Sequence, residues 1–141
     1  MTKAVDTLRL VLENVPHVHT VAVIGDHDGE LFSFLQEGIR SQTLPSLPMI
    51  HMGKSSFLPQ FREEIQRSTS IPWNIVLWDP GDLVWRDRKE TAEVVYRAVV
   101  DRELDGRRLP NNVRLILVGP KLDSVWDEAI LNKMIVSREE A

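Results

Sequence analysis

A chain of 141 residues, 43% apolar and 27% charged, suffices for one compact domain with a real core and is too short for two ordinary ones. Its formal charge of −4, without any basic tract, argues against a nucleic-acid-binding surface. The lack of cysteine excludes disulfides, iron–sulfur clusters and thiolate zinc sites; no window nears the roughly 18 apolar residues of a membrane span, and Asp6 and Glu13 interrupt the N-terminal apolar pattern, unlike a signal peptide, so the cytoplasm is the expected compartment.

In chain order, Val5, Leu8, Leu12 and Val15 recur at helical spacing after Thr2 and predict an amphipathic helix that closes before Pro16. The run His19-Thr-Val-Ala-Val-Ile24 is β-branched and apolar on both faces, which predicts a buried parallel strand. Gly25-Asp-His-Asp-Gly29 turns the chain, with Asp28 placed to cap a helix carrying Leu31, Phe34, Leu35 and Ile39. A Pro-rich connector, 43–48, leads into a short strand at Met49 to Met52. Phe57, Leu58, Phe61 and Ile65 then mark a helix that tolerates Pro59 in its first turn. Trp73-Asn-Ile-Val-Leu-Trp-Asp79 predicts a third strand, ended by Pro80-Gly81. Ala92, Val95, Tyr96 and Val99 predict the following helix, with Asp87 and Glu90 spaced as a capping box and Gly106 just past its end. Val113-Arg-Leu-Ile-Leu-Val118 is the fourth strand. Trp126, Ala129, Ile130 and Met134 predict a last helix from about Ser124, running into a short fifth strand at Met134 to Ser137. The alternation predicts one α/β domain over residues 1–141, a three-layer parallel sheet of about five strands with helices on both faces. Such sheets bind ligands beyond the carboxyl ends of their strands, which directs attention to the loops after residues 24, 52, 79 and 118.

Three segments carry candidate chemistry. Met49-Ile-His-Met-Gly-Lys-Ser-Ser56 contains the Gly-Lys-Ser that ends a phosphate-binding loop, but the first glycine of that motif is replaced by Pro48, which has no N–H to offer a phosphate. The plainer reading is a glycine turn with Ser55 or Ser56 capping a helix. Asp26 and Asp28 in the loop after the first strand are candidate ligands for a divalent metal, alone or with Asp79 and Asp82. Histidines are confined to positions 17, 19, 27 and 51, however, and a two-metal phosphoesterase site needs several downstream. Here the plainer reading is an acidic turn that caps the next helix. Asp79 at the end of a buried strand stands where an ATPase keeps its magnesium-binding carboxylate. The next residue, Pro80, replaces the glutamate that would activate water.

From Trp73 to Met134 the chain resembles the AAA+ ATPases, in particular their MoxR-like branch. The resemblance rests on the strand Trp73 to Asp79, the helix through Tyr96, and the phrase Asp101-Arg-Glu-Leu-Asp-Gly-Arg-Arg-Leu-Pro-Asn-Asn-Val-Arg-Leu-Ile-Leu-Val-Gly119. It implies a P-loop NTPase fold, here without the helical lid domain. It also implies nucleotide positions that this sequence replaces. The phosphate loop becomes Gly25-Asp26-His-Asp28-Gly29, acidic and without lysine; the Walker B aspartate survives as Asp79 but its glutamate partner becomes Pro80; the sensor asparagine becomes Gly119; and the arginine after the last helix falls near Lys133. The resemblance thus implies a degenerate core with no cofactor, no catalytic residue and no metal, an ATPase fold that has given up ATP.

The expected function is therefore protein binding, by docking on an AAA+ ATPase of the MoxR-like kind and modulating or inhibiting it, as a small regulator from a phage or mobile element would. Trp85, Arg86, Arg88, Arg107 and Arg108 are the candidate contact residues, as charged and aromatic loop positions. No nucleic acid or membrane partner is expected, and a homo-oligomer is compatible with the sequence. Two rival readings are a metal-dependent phosphohydrolase or residual nucleotide enzyme built on Asp26, Asp28, Asp79 and Asp82, and a self-associating structural subunit.

Overall fold

The computed structural model describes residues 9–10, 12–16, 18–24, 30–43, 47–52, 55–67, 73–78, 89–119, 132 and 135–138. Five parallel strands make the sheet: β1 (Val21–Ile24), β2 (Met49–His51), β3 (Trp73–Trp78), β6 (Val113–Gly119) and β7 (Ile135–Arg138). Their spatial order is β2-β3-β6-β1-β7. Three helices, α1 (Glu30–Arg40), α2 (Phe57–Arg67) and α3 (Lys89–Tyr96), and a two-stranded hairpin, β4 (Glu103–Leu104) with β5 (Arg107–Arg108), complete the described elements. Residues 9–10 and 12–14 are also helical, within the predicted first helix.

β6 sits at the centre with every residue buried, and its alternation divides the core in two. Leu115 and Leu117 point to one face, where they meet Ile75 and Leu77 of β3, Phe57, Phe61 and Ile65 of α2, and Val95, Ala98 and Val99. Ile116 and Val118 point to the other face, where they meet Val76, Val21 and Leu35 of α1, with Leu12 and Val15 packed alongside. Helices therefore cover both faces, as the sequence alternation predicts. Phe61 is fully buried and stacks on Phe57 at 5.6 Å, so it alone contributes about 1.5–3 kcal/mol of burial.

Local chemistry sets the ends of these elements. α1 stops without a glycine: Gln42 takes a left-handed conformation (φ 63°) and the Ser41 hydroxyl donates to the Glu37 carbonyl at 2.8 Å. β1 begins at Val21 rather than at His19, because the His19 amide is held in a turn by the Pro16 carbonyl (3.1 Å). β2 is a true member of the sheet. The Pro48 carbonyl accepts from the Val76 amide, and the Met52 amide donates to the Trp78 carbonyl, both at 2.9 Å.

Two expectations are corrected around residue 100. Tyr96 does not face the core: it is exposed, while Val95, Ala98 and Val99 turn inward. Gly106 does not end the helix. After α3 the chain continues as a π-helical turn, Arg97–Asp101, and stops at Arg102, which adopts the left-handed conformation (φ 52°) and donates its amide to the Arg97 carbonyl. Asp105 (φ 53°) and Gly106 (φ 78°) are then the two central residues of a tight turn joining β4 to β5, with Glu103 opposite Arg108 and Leu104 opposite Arg107. Positive φ at both central positions matches the right-handed strand twist, which is why Asp-Gly suits a hairpin here. The capping box expected at Asp87 and the helix expected from Ser124 lie outside the described residues.

Candidate functional site

The strand order locates the place where this architecture can hold a ligand. From β1 the chain crosses toward the β2 edge, whereas from β6 it crosses to the opposite edge at β7. Connections leaving two neighbouring strands in opposite directions open a crevice beyond their carboxyl ends. β1 and β6 are those neighbours, and their last residues, Ile24 and Gly119, are register partners. β3 ends level with them, Trp78 pairing with Val118. Gly119 is buried and is the last residue of β6 rather than the first residue of the loop beyond it.

The expected site residues distribute around this edge unequally. Gly25, Asp26, Asp28 and Gly29 follow β1 directly in sequence, and Asp79 and Pro80 follow β3; they lie outside the described residues, as do Asp82, Trp85, Arg86, Arg88 and Lys133. Among the described residues no group of three or more metal-ligating side chains gathers. None of the described helices is long and apolar enough to cross a membrane. Arg107 and Arg108 are described, exposed, and not at the crevice: they form β5, which feeds into the amino end of β6.

The Gly-Lys-Ser sequence belongs to a different strand from the one that leads into the crevice. It follows β2, the edge strand, with β3 and β6 standing between β2 and β1. Three strand spacings amount to about 14 Å. The four residues a phosphate loop would need ahead of Gly53 are committed to the sheet: Ile50 and Met52 are fully buried, and the His51 ring packs edge-on against Trp78 at 4.7 Å. Pro48, at the motif's first glycine position, uses its carbonyl in the β2–β3 ladder. α2 starts with the Ser56 carbonyl accepting from the Gln60 amide at 3.0 Å.

Two arginines that sequence reasoning did not single out hold this framework. Arg114 lies in β6 and is fully buried. Its Nε donates to Asn74 Oδ1 on β3 at 2.7 Å, one terminal nitrogen donates to the Val15 carbonyl, and the other reaches the Leu12 carbonyl at 3.5 Å. It thus ties the segment before β1 to the central strand, and burial lowers its pKa below that of an ordinary arginine. Arg102, half-buried, donates to the Pro110 and Val113 carbonyls at 2.8 and 2.7 Å and accepts the Leu109 amide on its own carbonyl, clamping the hairpin to the start of β6. Its pKa is lowered by burial and then by the nearby charge of Arg108. The signal for Arg114 was present: an arginine inside a strand otherwise apolar on both faces needs buried partners.

No protein-family model matches the chain, and neither does any curated protein. Among solved structures, a RuvB variant from Thermotoga maritima superposes with a TM-score of 0.54 at 11% identity, over 94% of this chain and 42% of that one. At that identity the likeness is one of fold. The parallel sheet with helices on both faces is an α/β fold of the kind that the RuvB structure contains. The chain spans less than half the length of the protein it matches.

Proposed function

We propose that this chain is a catalytically inactive AAA+-like protein that works by docking on an AAA+ ATPase of the MoxR-like branch and modulating or inhibiting it. One observation carries the reading. The segment that follows β1, the strand leading to the crevice, reads Gly25-Asp-His-Asp-Gly-Glu30, whereas the Gly-Lys-Ser follows the edge strand β2, with two strands standing between. Two aspartates and a glutamate where a triphosphate would lie oppose its charge, and no lysine is there to offset them. Pro80 in place of the water-activating glutamate, Gly119 in place of the sensor asparagine and Lys133 near the arginine position point the same way. Replacement of the nucleotide groups other than Asp79, on a framework still assembled by buried interactions, supports selection for shape. AAA+ subunits pack one subunit's nucleotide edge against the next subunit's arginine edge, so a core of this shape can occupy a place on such a ring.

Calorimetry with magnesium ATP, paired with capture of a purified MoxR-like ATPase in its nucleotide-free, ADP and ATP states, tests the proposal. The expected results are no ATP binding at micromolar concentration and capture in at least one state. Micromolar ATP binding abolished by Lys54→Ala would overturn the inactive-core reading. Absence of capture in all three states would sink the docking reading.

A further inference from the structure

A groove of about 520 Å³ runs between α2 and the β4–β5 hairpin, within the roughly 300–1,000 Å³ range of ligand-binding clefts. Ile65, Leu104 and Leu109 form its apolar floor, and Arg62, Arg107 and Arg108 stand along it. The charges are not balanced. Elsewhere on the described surface Arg40 pairs with Glu37 at 2.5 Å, Arg67 with Glu63 at 3.0 Å and Arg97 with Glu93 at 2.9 Å; in the groove Arg62 pairs with Asp105 at 2.9 Å. Arg107 and Arg108 have no such pair among the described residues, although Glu103 stands opposite Arg108 in the hairpin register. The turn that presents them is fixed twice, by the Arg62–Asp105 pair and by the Arg102 clamp. Arg108 also crowds the half-buried Arg102, a repulsion that an anion bound beside it would relieve. Two exposed guanidiniums without an ion pair among the described residues, beside an apolar floor, are complementary to carboxylates flanking an apolar side chain. Nucleic acid suits it less well, because duplex binding draws on many phosphate contacts and the chain as a whole is acidic.

We propose that the groove between α2 and the β4–β5 hairpin binds an extended acidic peptide segment of a partner protein, its carboxylates on Arg107 and Arg108 and an apolar side chain over Ile65, Leu104 and Leu109. The choice of a peptide rests on the protein-binding reading above, but not on the loss of ATP, since the groove lies at the amino end of β6, away from the crevice. The test is fluorescence anisotropy of the whole chain with a labelled nonapeptide of alternating Glu and Leu, a Lys–Leu counterpart and a single-stranded oligonucleotide of equal length. The Glu–Leu peptide is expected to bind, more tightly at low salt, with affinity reduced about tenfold or more by Arg107→Ser with Arg108→Ser, while the Lys–Leu peptide does not bind. Both substitutions are at exposed positions, and a circular-dichroism melt verifies folding. Failure of the Glu–Leu peptide to bind, equal binding of the Lys–Leu peptide, tighter binding of the oligonucleotide, or an unchanged affinity in the folded double variant each overturns the groove proposal. Capture of the MoxR-like ATPase by the parent chain separates the two ideas: capture without Glu–Leu peptide binding leaves docking intact and removes only the groove, and peptide binding without capture removes only the docking reading.

Discussion

Replacing Arg114 with methionine removes the charge and keeps most of the side-chain volume, so its cost reads the worth of the polar anchor rather than that of a cavity. The residue is fully buried, and its loss strands Asn74 Oδ1 and the Val15 carbonyl, with the longer contact to Leu12 a minor contributor. Each buried acceptor left without a donor costs about 1–3 kcal/mol, giving about 2–5 kcal/mol in all once relief from burying the charge is set against the Leu12 contact. That is a large fraction of the roughly 5–15 kcal/mol by which a domain is stable. Arg114→Lys keeps the charge but not the planar fork, and should lose about 1–2 kcal/mol. Urea unfolding followed by the fluorescence of the four tryptophans measures both, and hydrogen exchange gives the location. Protection should fall first in residues 12–16, the segment Arg114 holds. A methionine variant within about 0.5 kcal/mol of the parent, or one that keeps its protection there, would refute the anchor argument.

Asp105→Ala removes the Arg62 pair and puts alanine at φ 53°; a loss of about 1–2 kcal/mol is expected, with most of it retained at high salt because the strain, unlike the exposed pair, is not screened. Phe61→Ala in the fully buried stack on Phe57 should cost about 3–5 kcal/mol in the same urea assay. The pH dependence carries a definite sign. Arg102 and Arg114 bind their protons less tightly folded than unfolded, so their contribution to stability rises with pH, but only in the strongly alkaline range where arginine titrates. Their contribution should therefore be flat between about pH 6 and 9, and a difference in pH slope between the parent and Arg114→Met over that range would contradict it.

The sheet and its helices were legible because apolar residues repeat with the period of the element that buries them: Phe57, Phe61 and Ile65 along α2, Ile75 to Leu77 in β3. Tyr96 was misjudged because it is adjacent to the inward Val95 and apolar enough to pass for a core position, though one residue rotates it by about 100° around the helix. The hairpin was missed for a different reason. Strands of two residues are too short to show alternation, so Asp105-Gly106 had only its turn chemistry to announce it, and a glycine after a helix reads equally well as a cap. Arg114 has partners about a hundred residues away in sequence, which no local window contains. The crevice could be placed only once the strand order was known, since periodicity reveals that strands exist but not which are neighbours.

The strand order also fixes a timetable for synthesis. β1 is the first of the described strands to be made, yet its two neighbours in the sheet are β6 and β7, the last described strands to be made. At about 5–20 residues per second, the wait between Val21 and its register partner Ile116 is about 5–20 s. During that interval the edges of β1 have no partner strand, and the Val15 carbonyl waits on water for Arg114. β2 and β3, adjacent in both sequence and space, can pair within a few seconds of each other. The first of the described strands to leave the ribosome is thus a late arrival in the finished sheet, and its insertion between β6 and β7 completes the five-stranded order.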